Sequence, residues 1–322
     1  MRGKTWLALS IVVGCGGVDA RPKAPVAPRE EVTAEEVRPE PSRSLSGRTI
    51  TLIEPGEAPR RKLRYRFKAP KQEWLVTDEQ ITLSDVIEGR KKAEVVHLPP
   101  TTERYRIDER RVLPTGDLVY DGRIDSVDVS AQTSNLRNKV REWTTPLVGL
   151  RFSGVVDPRG NNRDADVEKP KGVISVEAQR VADRTRRGLL DMGFLLPEEE
   201  VGVGARWVVE LPSSAVGMQS VRAGEYTLRA MTEDALTLDA KTNERFSAAT
   251  TSFQSAEFPE VTVTVGGFSG AGTEQITIPL DGLVGRGAAH WVAKTELLLQ
   301  GPERTVRVHR TMTVDVTFGP PQ

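Results

Sequence analysis

The sequence is poor in the residue types that most often carry chemistry. Among 322 residues it has one cysteine, three histidines and 5% aromatic residues. A single cysteine excludes an internal disulfide. The histidines, His97, His290 and His309, have no partners at metal-ligand spacing, such as a second histidine four residues away on a helix. The sequence therefore offers no metal motif and no disulfide framework.

The chain also lacks an excess of charge of either sign. It has 45 basic and 45 acidic residues, so its formal net charge is zero. Nucleic acid demands a basic excess, and so does electrostatic attachment to acidic lipids, so both partners are disfavoured. The hydrophobic content of 38% is low for a globular chain, partly because of one proline-rich and charged stretch near the start. The remaining ~260 residues suffice for one large β domain or two small ones.

The first residues have the parts of a secretory signal. Arg2 and Lys4 give a positive start, an apolar run covers residues 6–13, and small residues surround Cys15. The run is far shorter than the ~20 residues that a membrane-spanning helix needs. A charged start, a short apolar core and a small-residue cut site predict a cleaved signal peptide over residues 1–14.

The segment Val12-Val13-Gly14-Cys15 resembles the lipobox of bacterial lipoproteins, although leucine is commoner there than Val12. The resemblance implies that Cys15 becomes the lipidated first residue and that its lipid is the contact with the membrane. In such lipoproteins an aspartate after the cysteine favours inner-membrane retention, so Gly16 implies the outer membrane. The alternatives are plain secretion and a buried structural cysteine.

Residues 15–59 have the composition of a disordered tether. Prolines favour extended backbone, and the interspersed charges leave little apolar surface to bury. Within this stretch, residues 49–53 alternate threonine with apolar residues, which fits a first strand or a segment docked on the domain. We expect the β-rich domain to occupy residues 60–322. The prolines of the tether include Pro22, Pro25, Pro28, Pro39 and Pro41.

The rest of the chain is dominated by alternating apolar and polar residues, the period of a half-buried strand. The clearest case is the last strand, where only Arg310 interrupts an apolar face that runs from Val306 to Phe318. The glycine-rich run from Gly266 to Gly272 predicts a hairpin turn. Strands are predicted at residues 63–68, 74–76, 81–83, 105–107, 118–120, 147–156, 207–211, 225–230, 236–238, 261–265, 276–280, 291–299 and 306–318.

One principal helix is predicted over residues 175–193. Its apolar residues follow steps of three and four, Ser175 is placed to cap its start, and Gly193 is placed to end it. The predicted fold is therefore mainly β: a large antiparallel sheet, curved or forming a half-barrel around this helix. Strands on both sides of the helix also permit two similar halves. The apolar positions of the helix are Ala178, Val181, Leu189 and Met192.

A second resemblance follows the helix. Leu196-Pro197, Val201, Gly204 and Trp207 stand at the spacing of an LP-x-x-x-V-x-x-G-x-x-W segment. From about residue 145 to the end, the chain resembles uncharacterised secreted bacterial domains that carry this segment. The resemblance implies export and a β-rich fold, and it implies no activity.

Two stretches have the residue types of a functional site. Ser269 follows Gly267 as in a nucleophile elbow, but Ala271 stands where a second glycine is required, so the match fails. A loop rich in oxygen ligands resembles a calcium loop in composition only, because the EF-hand spacing is absent and Arg159 and Arg163 oppose a cation. A solvated hairpin loop is favoured there over a metal site. The oxygen-rich residues are Asp157, Asn161, Asn162, Asp164 and Asp166.

The sequence therefore favours a non-enzymatic lipoprotein of the cell envelope that acts as a scaffold or binding module. We expect no cofactor and no nucleic acid. The partners expected besides the membrane are another envelope protein or an apolar ligand. Two alternatives stay open: a carrier that holds an apolar ligand or lipid in a curved sheet, and an envelope hydrolase.

Overall fold

A computed structural model describes residues 48–130, 135–172, 174–190, 192–215, 218–246, 251–254 and 260–321. Cys15 and most of the predicted tether lie outside these residues. The described strands are β1 Thr49–Glu54, β2 Arg61–Lys62, β3 Lys71–Ile87, β4 Glu94–His97, β5 Thr101–Val112, β6 Leu118–Val129, β7 Arg151–Val156, β8 Asn162–Val167, β9 Glu200–Val201, β10 Arg206–Ala215, β11 Met218–Met231, β12 Ala235–Phe246, β13 Thr251–Gln254, β14 Thr262–Pro279, β15 Arg286–Gln300 and β16 Thr305–Gly319. The helices are α1 Asn135–Thr144 and α2 Val176–Leu190, and a 3-10 turn covers Thr145–Leu147.

The architecture is one large antiparallel sheet, which confirms the mainly β prediction. Its order is β1-β10-β11-β12-β14-β15-β16-β3-β5-β6-β7-β8, with β13 added on β14 and β4 on β3, while β2 and β9 form a separate pair. The last strand, β16, pairs with β3. Strands that precede and follow α2 therefore share one continuous sheet.

Strand β1 lies within the stretch that the sequence predicts to be a tether. It pairs with β10, so that Ile50 lies opposite Val209 and Leu52 opposite Trp207. Val209 and Trp207 are both buried. The prediction of a first strand over residues 49–53 is confirmed. The strand joins the edge of the sheet through backbone pairing with β10, and its alternating residues Ile50 and Leu52 pack against the core.

The predicted strand at residues 63–68 alternates as expected but joins no sheet. Leu63, Tyr65 and Phe67 are buried, and the Tyr65 and Phe67 rings stack at 5.0 Å. The backbone finds two unrelated partners: the Tyr65 amide donates to the Pro158 carbonyl at 2.8 Å, and the Arg66 amide donates to the carbonyl after β14. The β7–β8 turn and the end of β14 thus meet around this segment, which indicates that the sheet curves at this end.

Helix α2 is confirmed with its predicted cap. The Ala178 amide donates to Ser175 Oγ at 3.2 Å, and Gly193 has a φ of +101°, a conformation that favours glycine. Leu189 is buried, but α2 packs on α1 and β8 rather than on β16. Arg184 of α2 also reaches the sheet, where its Nη2 lies 2.8 Å from Glu79 Oε2 of β3. Helix α2 and segment 63–67 both contribute buried residues to one core.

Helix α1 was not predicted, although the sequence has its signal. Leu136, Val140 and Trp143 stand at spacings of four and three, which puts them on one helix face. Val140 and Trp143 are buried, and the Thr144 hydroxyl donates to the Val140 carbonyl at 2.9 Å near the helix end. The helix is only ten residues long, so its stability comes from this packing rather than from helix propensity.

The glycine-rich run lies inside strand β14, so the predicted hairpin turn is wrong. The run contains a bulge between Val265 and Gly267, after which pairing with β15 continues. A Cβ at Gly270 or Gly272 would collide with the Trp291 ring on β15. The glycines therefore make room for a large aromatic side chain on a neighbouring strand, a use that composition alone does not distinguish from a turn.

The residues of the LP segment each have a structural role. Leu196 and Val201 are fully buried, and Trp207 stacks on Tyr226 with ring centres 6.0 Å apart. Gly204 has a φ of +82°, which favours glycine. The segment is thus the connection that returns the chain from α2 into the sheet at β10.

A buried ion pair explains the polar residue on the apolar face of the last strand. Arg310 lies directly opposite Asp85 of β3. Its Nε and Nη2 donate to the two Asp85 carboxylate oxygens at 2.7 and 2.6 Å. The side chains are only 7% and 5% exposed. The pair is bidentate, the strongest geometry for this interaction.

Candidate functional site

The face of the sheet opposite the apolar core presents two rows of polar side chains that cross the strands. In each row, neighbouring residues are direct partners on adjacent strands. The first row is Thr102, Asp78, Thr317, Ala288, Gln275, Asp239, Thr227 and Arg206. The second row is Gln80, Asp315, His290, Thr273, Lys241 and Glu225.

These rows line a groove of about 830 Å³, which runs from Pro100 beside β5 to Arg206 on β10. A volume of this size is typical of ligand sites, which span roughly 300–1,000 Å³. Adjacent strands are about 4.8 Å apart, so each row offers one side chain at about that interval. The groove is therefore a regular array of polar groups rather than a single point of contact.

Six acidic residues, three permanent cations and His290 line the groove, and most of these groups are ion-paired. Arg206 Nη2 lies 2.6 Å from Glu225 Oε1, and Arg229 Nε lies 2.6 Å from Asp239 Oδ2. The Glu225 carboxylate raises the pKa of Arg206. Because the pairs neutralise each other, the groove presents hydrogen-bonding groups without a strong field of either sign.

The second row has two further charged features near its middle. His290 Nδ1 lies 2.7 Å from Asp315 Oδ1, and both side chains are more than half exposed. Lys241, two strands from His290, has no ion-pair partner within the described part of the chain. A hydrogen-bonding imidazole and an ammonium group are thus available to an occupant of the groove.

The uncharged polar side chains of the groove are hydroxyls and amides, and its apolar residues are Pro100, Ala240, Ala288, Ala289 and Val316. A threonine hydroxyl both donates and accepts a hydrogen bond, and a glutamine amide does the same through separate atoms. No serine, cysteine or aromatic residue lines the groove. The arrangement is suited to holding a polar molecule. These uncharged groups are Thr102, Thr227, Thr273, Thr317, Gln80 and Gln275.

The oxygen-rich residues predicted from the sequence lie around the β7–β8 hairpin. Asp157 Oδ1 accepts from the amides of Arg159 at 2.8 Å and Asn161 at 3.0 Å, which orders the turn. The buried Asn162 donates through Nδ2 to the Tyr120 hydroxyl at 2.8 Å and to the Leu190 carbonyl at 3.1 Å. These contacts are internal to the fold.

The two remaining members of that set lie on β8. Asp164 has a φ of +52°, and Asp166 lies opposite Ser153 of β7. Among the residues that the structure describes, no three or more histidine, cysteine, aspartate or glutamate side chains are placed to hold a metal ion. The oxygen-rich stretch is thus a hairpin whose first aspartate orders its own turn.

The histidines and Ser269 occupy sheet surfaces. His97 Nδ1 lies 3.0 Å from Thr82 Oγ1, and His309 is exposed on β16. Ser269 is exposed within β14, on a strand rather than on a tight turn. His290 alone of these lies in the groove. Sequence reasoning missed the groove because its members are scattered over eight strands, and only strand register brings them into rows.

A second polar cluster lies on the opposite face, where β3 and β5 meet the loop between β14 and β15. Glu73 Oε2 and Glu109 Oε1 each accept from the Leu283 amide at 3.0 Å, and Lys71 Nζ lies 2.9 Å from Glu73 Oε1. Burial, together with the neighbouring Glu73 carboxyl, raises the pKa of Glu109 to about 8. Glu109 is therefore held mainly in its protonated form at neutral pH.

This carboxyl pair is a structural contact rather than a second site. The Glu109 side chain is completely buried, and a Cβ at Gly282 would collide with both Lys71 and Glu73. The backbone of the loop therefore covers the pair closely. The pair fixes the β14–β15 loop to strands that are distant in the sheet order.

Comparisons with known proteins identify no family. No family model matches the chain, and no curated protein does. One solved structure, "Asymmetric conductivity of engineered proteins", matches 76% of this chain and 100% of its own chain, with 8% identity and a TM-score of 0.19. A likeness of that size carries no argument about fold or function. Within the described residues, no helix is both long and apolar enough to cross a membrane.

Proposed function

We propose that this protein is a lipid-anchored, non-enzymatic binding module of the bacterial cell envelope, with the groove as its binding surface. The observation that carries the binding role is the pair of polar rows that line a groove across eight strands. The lipobox at Cys15 supports the lipid anchor, and Gly16 supports the outer membrane. The rigid sheet holds the polar groups at fixed spacing, which lowers the entropic cost of binding.

The groove favours a polar occupant over the apolar ligand of a lipid carrier. A carrier requires a dry interior lined by aliphatic side chains. Of the 22 residues that line the groove, five are apolar, and Ala288 is the only one of these in the two rows. On the opposite face, segment 63–67 and helix α2 contribute buried residues to one packed core. An interaction module that presents a polar sheet face therefore agrees best with the structure.

The same geometry favours binding over hydrolysis. The imidazole of His290 has an acidic partner in Asp315, but no serine or cysteine lines the groove beside it. A nucleophilic mechanism needs all three groups within hydrogen-bond reach. Glu109 has the raised pKa of an acid catalyst, but its buried position under the β14–β15 loop favours a structural role.

Native mass spectrometry of the full-length protein from envelope extracts tests the binding role. A tryptophan at Ala288, which is exposed on β15 in the groove, should block the site. Lys294→Trp is the matched control, because Lys294 is exposed on the same strand and the same face, about 20 Å away. We expect a polar species to co-purify with the wild type and Lys294→Trp but not with Ala288→Trp. Equal recovery with both variants, or recovery of lipid alone, would contradict the proposal.

A further inference from the structure

The rows of the groove also indicate what kind of molecule it binds. We propose that the occupant is an uncharged glycan chain that lies across the strands, with its hydroxyl and amide groups facing the two rows. This inference rests on the proposed function, because it names the ligand class of the same groove.

The first argument is charge. Six acidic residues line the groove, of which Glu79 and Glu274 are ion-paired with Arg184 and Arg222 outside it. The other four carboxylates face three permanent cations and His290, and the closest of them pair internally. A polyanion such as a phosphorylated or sulfated chain needs an excess of cations, and a basic peptide needs an excess of carboxylates. The groove supplies neither. The four carboxylates are Asp78, Glu225, Asp239 and Asp315, and the cations are Arg206, Arg229 and Lys241.

The second argument concerns the type of contact. A protein partner is usually anchored by an aromatic, methionine or arginine side chain in a well-packed pocket. No phenylalanine, tyrosine or tryptophan lines the groove, and the apolar residues of its lining are Pro100, Ala240, Ala288, Ala289 and Val316, none of them a large anchoring side chain. Its threonines and glutamines both donate and accept, as sugar hydroxyls and acetamido groups do. A polyhydroxylated ligand therefore finds a partner at nearly every position.

The third argument is repetition. Neighbouring members of each row lie on adjacent strands, so the polar groups recur at about 4.8 Å along the groove. A chain of similar units that runs across the strands meets a similar group at each step. A compact polar metabolite would use only part of an array that crosses eight strands.

Isothermal titration of the full-length protein with chitohexaose, an uncharged oligosaccharide of N-acetylglucosamine, tests the inference. The detergent must have no sugar headgroup. We expect saturable binding that changes little between roughly 0.05 and 0.5 M salt, because no net charge is neutralised. Neither an anionic sugar chain of equal length nor an uncharged peptide of serine and asparagine should bind. Absence of chitohexaose binding, or tighter binding of either comparison ligand, would overturn the inference.

Variants locate the binding in the groove. Ala288→Trp should weaken chitohexaose binding at least tenfold, and Lys294→Trp should leave it unchanged. Thr273→Val removes one hydroxyl and keeps the branched shape, so it should weaken binding about threefold to tenfold, the effect of one hydrogen bond. Thr264→Val is its control, because Thr264 is a half-buried residue of the same strand that lies outside the groove. Equal affinity of the wild type and both groove variants would overturn the placement.

Failure of this inference is distinguishable from failure of the proposed function. If Ala288→Trp loses the species that co-purifies with the wild type while chitohexaose binds neither protein, the groove is a binding surface for another class of ligand. If Ala288→Trp changes neither co-purification nor chitohexaose binding, the groove is not the binding surface, and both proposals fall.

Discussion

Replacing Arg310 with methionine tests how the buried ion pair stabilises the centre of the sheet. Methionine retains the length and most of the apolar volume of arginine but leaves the Asp85 carboxylate without its bidentate donor. Both side chains are at most 7% exposed, so water can solvate the unpaired Asp85 carboxylate only slightly. Removing one partner of a buried pair costs about 3–5 kcal/mol. With a urea m-value of about 3 kcal/mol/M, the unfolding midpoint should fall by roughly 1–1.7 M.

The control is Arg307→Met on the same strand. Arg307 Nε lies 3.4 Å from Glu296 Oε1, but both side chains are more than 40% exposed. An exposed pair contributes about 0–1 kcal/mol, so this midpoint should shift by less than about 0.4 M. The double variant Asp85→Val with Arg310→Met removes both charges, and we expect it to recover most of the lost stability.

Urea unfolding followed by circular dichroism gives the midpoints and m-values. If Arg310→Met costs no more than Arg307→Met, the pair is not a buried determinant of stability. If the double variant loses as much stability as the single variants Arg310→Met and Asp85→Val together, the cost does not come from an unpaired buried charge. Either result would refute the reasoning.

Three further predictions concern other parts of the molecule. The folded-state pKa of Glu109 is raised from 4.5 to about 8, so its stabilising effect is present below pH 4.5 and is lost as the pH rises to 8. The free energy of unfolding should therefore fall between pH 4.5 and 8, and it should fall less in Glu109→Gln. An equal pH dependence of the wild type and Glu109→Gln would contradict this. Leu189→Ala in α2 should cost about 2–5 kcal/mol in urea unfolding, because Leu189 is buried in the core, and a loss below about 1 kcal/mol would contradict that packing. Cys15→Ser should leave the protein unprocessed or soluble, and membrane attachment without an acyl mass on the mature amino terminus would count against the lipobox.

Local patterns predicted most of the elements of the fold. The alternation of apolar and polar residues located the long last strand, and Ser175 with Gly193 located helix α2. These signals are local, because a side-chain period and a helix cap involve residues that are close in sequence. The same locality explains the errors. Segment 63–67 alternates like a strand, but its amides donate to carbonyls of two distant segments. Gly270 has the residue type of a turn, but it lies in a strand because the neighbouring Trp291 ring leaves no room for a Cβ.

The sequence by itself determined the mainly β class, the balanced charge and the polar face of each strand. Only the tertiary structure decided which polar faces became neighbours, because strand register is set between segments far apart in the chain. His290 and Asp315 are 25 residues apart, yet register places them 2.7 Å from each other in the groove. Asp85 and Arg310 are separated by 225 residues, and each is a charged residue on the apolar face of its strand. Only the pairing of β3 with β16 brings them together as a buried ion pair.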